Sequence, residues 1–267
     1  MRVGFIQFNP ELGLVNKNIE TVESMLDKIE ADALLLPELF ATGYLFPDRD
    51  FIKPMAESAG KGPIFDAMYR WAKKINGLVC GGFPEIDGNK IYNTALAVEP
   101  SGKYHLYRKI HLFDREKLYF DPGSSSPEPF TFRDVKFGIL ICFDWIFPEI
   151  YRVLMLQGTQ VVLHPSNLVL PYCQRASYAR AVENRFFIIM TNRIGVENLE
   201  TIHLHFTGES IIYSPSGEIL AKAPKDDAIV KIADIDPEDA LNKIVTDHNH
   251  IIDDRRPELY RRICTIQ

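Results

Sequence analysis

The sequence has no long apolar run, no excess of basic charge and no cysteines in a recognisable pairing pattern. Its four cysteines, Cys80, Cys142, Cys173 and Cys264, stand singly, without CxxC spacing and without histidines at metal-ligand distance along the chain. Neither a disulfide framework nor a thiolate metal site is expected, and a reduced, cytoplasmic protein is. No stretch approaches the roughly 18 apolar residues of a membrane span, so no membrane partner is expected. Behind a single Arg the chain enters Val3-Gly4-Phe5-Ile6 with no small-residue cleavage site, which does not read as a signal peptide. Lys and Arg number 30 against 36 Asp and Glu, a net charge of −6, and a nucleic-acid surface would need the opposite balance. The one basic cluster, Arg255-Arg256 with Arg261-Arg262, is interrupted by acids and reads as a solvated or intersubunit face.

What is present suits an ordinary folded domain. The 267 residues are 46% hydrophobic and 25% charged, enough to bury a sizeable core. Short apolar runs bounded by Gly, Pro and Asp turns predict strands at 2–9, 33–36, 78–82, 92–99, 103–107 and 135–142. Further strands are expected at 160–164, 187–191, 209–213, 219–221 and 229–235. Helical periodicity falls at 16–30, 63–76, 147–157 and 174–184, with a short helix at 237–241. The two element types interleave without a repeat, linker or low-complexity tract. One α/β domain over 1–267 is expected, with helices covering sheet faces and 245–267 as a tail suited to subunit contacts. Two packed sheets and one large sheet are both compatible with this pattern.

Three strand ends each deliver one reactive side chain: Glu38 in Leu-Leu-Pro-Glu-Leu, Lys109 in Tyr-Arg-Lys-Ile-His-Leu, and Cys142 in Gly-Ile-Leu-Ile-Cys-Phe-Asp-Trp. Ligands of α/β sheets gather beyond the carboxyl ends of strands. Each residue also has a plain structural explanation: a core thiol, a turn carboxylate, a solvated lysine. Together they compose a mechanism. A thiol attacks an acyl carbon only as thiolate, which calls for a base and a positive charge nearby. Glu38 can take the proton, and Lys109 can hold a tetrahedral oxyanion with help from the backbone N–H of Phe143.

These motifs resemble those of the nitrilase superfamily, the carbon–nitrogen hydrolases. The similarity runs through Leu-Pro-Glu-Leu-Phe-Ala-Thr-Gly-Tyr, Tyr-Arg-Lys-Ile-His-Leu-Phe and Cys-Phe-Asp-Trp-Ile-Phe-Pro-Glu to His-Pro-Ser-Asn, Arg-Ala-Val-Glu-Asn-Arg and Asp-Arg-Arg-Pro-Glu-Leu-Tyr. The resemblance implies a four-layer αββα sandwich, a homodimer or higher homo-oligomer, and no metal or organic cofactor. It makes Glu38 the general base, Lys109 the oxyanion stabiliser and Cys142 the nucleophile, and it adds Glu116 as an orienter of Lys109 or a proton shuttle.

Around this set, Tyr44 follows Glu38 on a loop where aromatic side chains can shape the acyl side. Trp145 can line the pocket or pack at a subunit contact, and Asn167 follows the strand ending at His164. Arg175 can hold a substrate carboxylate or pair with a local acid. Asp144 is expected to cap the following helix, His164 to be a structural hydrogen-bonding residue, and His111 to have no nucleophile-activating role. The expected reaction is hydrolysis of a small linear amide through a thioester. Phe143-Asp144 after the cysteine resembles the amidase and N-carbamoyl branches more than the nitrilases. An N-carbamoyl amidohydrolase is the alternative, with a nitrilase, an acyltransferase and a non-catalytic binding member behind it.

Overall fold

A computed structural model describes residues 1–265. The first half runs β1 (Arg2–Gln7), α1 (Val15–Met25), β2 (Ala33–Leu35), α2 (Arg49–Ile52), α3 (Pro63–Ile75), β3 (Leu78–Asp87), β4 (Lys90–Val98) and β5 (Tyr104–Arg108). After α4 (Glu116–Tyr119) come β6 (Phe130–Phe132), β7 (Val135–Ile139), α5 (Pro148–Leu156), β8 (Val161–Pro165), α6 (Cys173–Asn184) and β9 (Phe187–Thr191). The remainder is β10 (Val196–Leu199), β11 (Ile202–His205), β12 (Ile211–Tyr213), β13 (Ile219–Lys222), β14 (Ile229–Asp234), β15 (Ile244–Thr246) and β16 (Asn249–His250).

The strands form two six-stranded sheets, ordered β14-β1-β2-β3-β4-β5 and β13-β12-β9-β8-β7-β6. Side chains on a strand alternate between faces, and this sorts the first sheet. Val3, Phe5, Ala33, Leu35, Leu78, Cys80, Ala95 and Ala97 face the second sheet, while Ile6, Leu34, Val79, Leu96 and Val98 face outward. The outer face is covered by α1 and α3 through Ile19, Val22, Met68 and Trp71. On the far side, α5 and α6 cover the second sheet through Tyr151, Leu154 and Ala181. The result is a four-layer αββα sandwich. Three apolar residues suffice for β2 because it is buried on both faces.

Several elements differ from the sequence reading. The 16–30 helix ends at Met25. β3 continues five residues beyond Gly82, through Pro84, where a break is expected. Its register explains this: the Pro84 carbonyl accepts from Glu57 N, so that side of Pro84, missing N–H included, faces away from β4. The hairpin of β10 and β11 carries alternating burial that short polar-flanked strands do not advertise. In the 245–267 tail, β15 pairs with β16, and the last two residues lie outside the described ones. Among the described residues no helix is long and apolar enough to cross a membrane.

Candidate active site

Glu38 lies three residues past β2, on a turn strapped to β3. Gly82 N donates to Pro37 O and Phe40 N donates to Gly82 O, both at 3.1 Å. A Cβ on Gly82 would fall 2.5 Å from Leu39 N and 2.7 Å from Glu38 Cα, so glycine is what lets the strand approach the turn. Lys109 follows β5 and keeps one more rung of its ladder, Lys109 N to Asn93 O at 2.9 Å. Glu116 opens α4.

These three side chains are buried together. Lys109 Nζ donates to Glu38 Oε1 and to Glu116 Oε1, each at 2.7 Å. An ammonium has three N–H groups, so one remains for another acceptor. Glu38 Oε1 also accepts from Asn93 Nδ2 at 2.7 Å, while Glu38 Oε2 is buried without a donor. Glu116 is held by Tyr44 OH at 2.8 Å and by Phe113 N at 3.2 Å. Burial alone would lower the proton affinity of Lys109. Glu116 and Glu38 outweigh it and hold the ammonium above its ordinary value. Burial pushes Glu116 up to about 7 against the pull of Lys109, with Glu38 adding to the rise.

Cys142 ends the run that continues β7 and begins a one-turn 3-10 helix, Cys142–Ile146. Its φ is +42°, left-handed backbone that costs a non-glycine residue on the order of 1–3 kcal/mol. Side chains pin the elbow on both sides. Asp144 Oδ2 accepts from Ile141 N at 2.8 Å and from Tyr107 OH at 2.9 Å, and its Oδ1 meets His111 Nδ1 at 2.8 Å. His164 Nε2 contacts the Cys142 carbonyl at 3.0 Å. That carbonyl can only accept, so Nε2 carries the hydrogen and Nδ1 accepts from Tyr151 OH at 2.9 Å. Burial holds His164 down at about 4, hence neutral. Asp144 thus braces the elbow and does not cap α5, whose N-terminus follows Phe147 without a side-chain cap.

The thiol is buried, and burial, followed by the charge of Glu38, raises its pKa well above the ordinary value; Lys109 pulls it down. A thiolate is therefore not preformed. The Sγ lies 3.8 Å from the carbonyl of Asn167. A cavity of about 20 Å³, room for about one water, opens at Cys142 between Phe113, Phe143, Trp145, Leu168, Val169 and Leu170. Asn167 is the other polar lining residue, and both its amide atoms are buried and unpartnered. The N–H of Phe143 precedes that of Asp144, the first to close a bond within the turn.

The structure brings together Glu38, Lys109, Glu116, Cys142, Phe143, Trp145 and Asn167. It does not bring in Arg175, exposed on the first turn of α6, nor does Tyr44 line the cavity: its hydroxyl is spent on Glu116. Sequence reasoning missed Asn93, a buried amide inside an apolar strand. That polar interruption of Ile91-Tyr92-Asn93-Thr94-Ala95 was the available signal.

Residues 2–242 match the family model described as carbon-nitrogen hydrolase. A Pyrococcus abyssi protein named nitrilase is 38% identical over 98% of this chain and 100% of its own length. The N-carbamoylputrescine amidase of Solanum tuberosum is 30% identical over 94% of this chain and 91% of its own. Among solved structures, a variant amidase from Nesterenkonia sp. AN1 bears the acetamide moiety of fluoroacetamide added covalently at its active-site cysteine. It superposes with a TM-score of 0.80 at 23% identity, covering 98% of this chain and 96% of that one. The chain belongs to the carbon–nitrogen hydrolases of the nitrilase superfamily, and it is a hydrolase of carbon–nitrogen bonds.

Proposed function

We propose that the chain hydrolyses small linear amides with an uncharged acyl group, through a thioester on Cys142. The observation that carries this reading is the buried contact of Lys109 with Glu38 and Glu116 beside the Cys142 thiol. Because the resting thiol holds its proton, deprotonation accompanies attack. Glu38 Oε2, the unpartnered carboxylate oxygen, takes the proton as sulfur bonds to the amide carbon. The carbonyl oxygen becomes an oxyanion held by the third N–H of Lys109 and the N–H of Phe143. As the intermediate collapses, Glu38 returns the proton to the nitrogen, the carbon–nitrogen bond breaks and ammonia leaves. Glu38 then takes a proton from water as it attacks the thioester, and on collapse gives that proton to the departing sulfur, releasing the carboxylic acid and restoring the thiol.

The acyl preference is read from the lining. Six of the eight cavity residues are apolar, and the remaining two, Cys142 and Asn167, carry no charge. A substrate carboxylate against that lining would lose its hydration with no cation among the lining residues, and Lys109 is already paired with two carboxylates. The test is an ammonia-release screen across short aliphatic amides, ω-amides of dicarboxylic acids, N-carbamoyl amines and nitriles, with Cys142→Ala in parallel. Release from short neutral amides by the wild type, and none by Cys142→Ala, is expected. Turnover by the alanine variant, or a preference for the dicarboxylic ω-amides, overturns the reading.

A further inference from the structure

We infer that Glu197, braced by Arg193, is a positioning residue for the reaction: it grips the loop that aims the Tyr44 hydroxyl at Glu116. The inference rests on the roles proposed above for Glu116 and Lys109.

Glu197 lies on β10, far along the chain from the catalytic strands, yet its carboxylate is almost fully buried against the loop after Glu38. It accepts from Tyr44 N at 3.1 and 3.2 Å and from Leu45 N at 2.6 Å, two successive amides aimed at one anion. Gly43, at φ +80°, makes that approach possible. A Cβ there would stand 2.7 Å from Leu12 Cα and 2.9 Å from Glu197 Oε1.

Arg193 completes the grip. Its side chain is fully buried and its guanidinium donates to Glu197 Oε1, to Asn9 Oδ1 at 2.9 Å and to Pro10 O at 2.7 Å. The same guanidinium lies 4.0 Å over the ring of Phe206, and Phe206 meets the Tyr44 ring edge-on at 6.0 Å. The backbone and the ring of Tyr44 are thus fixed by one ion pair. At the far end of that ring, the hydroxyl donates to Glu116 Oε1, the oxygen that also accepts from Lys109.

Burying a guanidinium and a carboxylate strips both ions of their hydration, and an apolar pair of similar volume often stabilises as well or better. The pair is accounted for by what it aims. A Tyr44 hydroxyl displaced from Glu116 leaves a buried carboxylate short of a donor and frees Lys109 to turn away from the oxyanion position.

The test reads Cys142 directly, with iodoacetamide, a two-carbon primary amide electrophile, as probe. Alkylation rates at Cys142 are followed by intact-protein mass spectrometry with peptide mapping over pH 6–9. Tyr44→Phe and Glu197→Gln are each expected to slow alkylation at least threefold and to move its pH midpoint in the same direction. The double variant is expected to be no slower than the slower single one, with no further shift. Losses that multiply in the double variant, or a Glu197→Gln rate not at least threefold lower, overturn the inference. If Glu197→Gln does not fold, Phe206→Leu keeps the ion pair and loosens only the ring, and the same criteria apply to it with Tyr44→Phe. A wild-type Cys142 that labels no faster than exposed Cys264 removes the nucleophile reading instead, and the inference with it.

Discussion

Replacing Lys109 by methionine separates the two jobs this residue has, because it keeps the bulk and removes the charge. In the wild type one ammonium is bonded to two buried carboxylates at 2.7 Å each. Removing one partner of a buried ion pair costs about 3–5 kcal/mol, since the other charges are left uncompensated. Glu116 then relieves the repulsion by holding its proton to a pH above the value of about 7 that it has beside Lys109. The sign follows from linkage. A carboxyl whose proton affinity is higher folded than unfolded stabilises the fold at low pH and loses that contribution as pH rises. Above pH 7, where Glu116 of the wild type ionises and that of the variant keeps its proton, the stability deficit of Lys109→Met should therefore widen by up to about 1.4 kcal/mol per pH unit. Urea unfolding followed by tryptophan fluorescence at pH 6, 7, 8 and 9 measures it. Turnover at pH 7 should still fall by about 10²–10³, the cost of losing one oxyanion donor. A deficit that stays constant above pH 7 refutes the coupling of Glu116 to Lys109. A turnover within tenfold of wild type refutes its oxyanion role.

Glu116→Gln should abolish an acid limb in the rate profile. With Glu116 pushed up to about 7, its ion pair with Lys109 is lost as pH falls through neutrality, so kcat/KM of the wild type should drop there while the variant stays low and flat. A variant that keeps the wild-type limb places that ionisation elsewhere. Gly82→Ala should push Glu38 off its position, with a stability loss of about 1–3 kcal/mol from overpacking and a larger proportional loss of kcat than of thermal stability. Full activity in this variant would mean that the turn yields at no cost to the geometry.

How legible was this protein? The strands β1, β2, β7 and β9 were readable because apolar alternation or continuous apolarity is local, and local patterns survive in one dimension. The motifs around Glu38, Lys109 and Cys142 stood out for the same reason, each being a reactive residue at the end of such a run. β3 beyond Pro84 was not legible, because whether a proline breaks a strand depends on which side its missing N–H faces. Asp144 was taken for a helix cap because its true partners, Tyr107 and His111, are more than thirty residues away.

Sequence alone therefore determined the layer types, the positions of most strands and the chemical identity of the reactive groups, all of which depend on residue character and short-range period. Only the tertiary structure decided that Tyr44 serves Glu116 and does not line the cavity, and that Arg175 lies outside it. It also decided that Glu197 reaches back across the molecule to hold Tyr44. Those facts depend on which distant segments share a buried volume, where hydrogen bonds and charges must be satisfied among whatever groups the packing brings within reach.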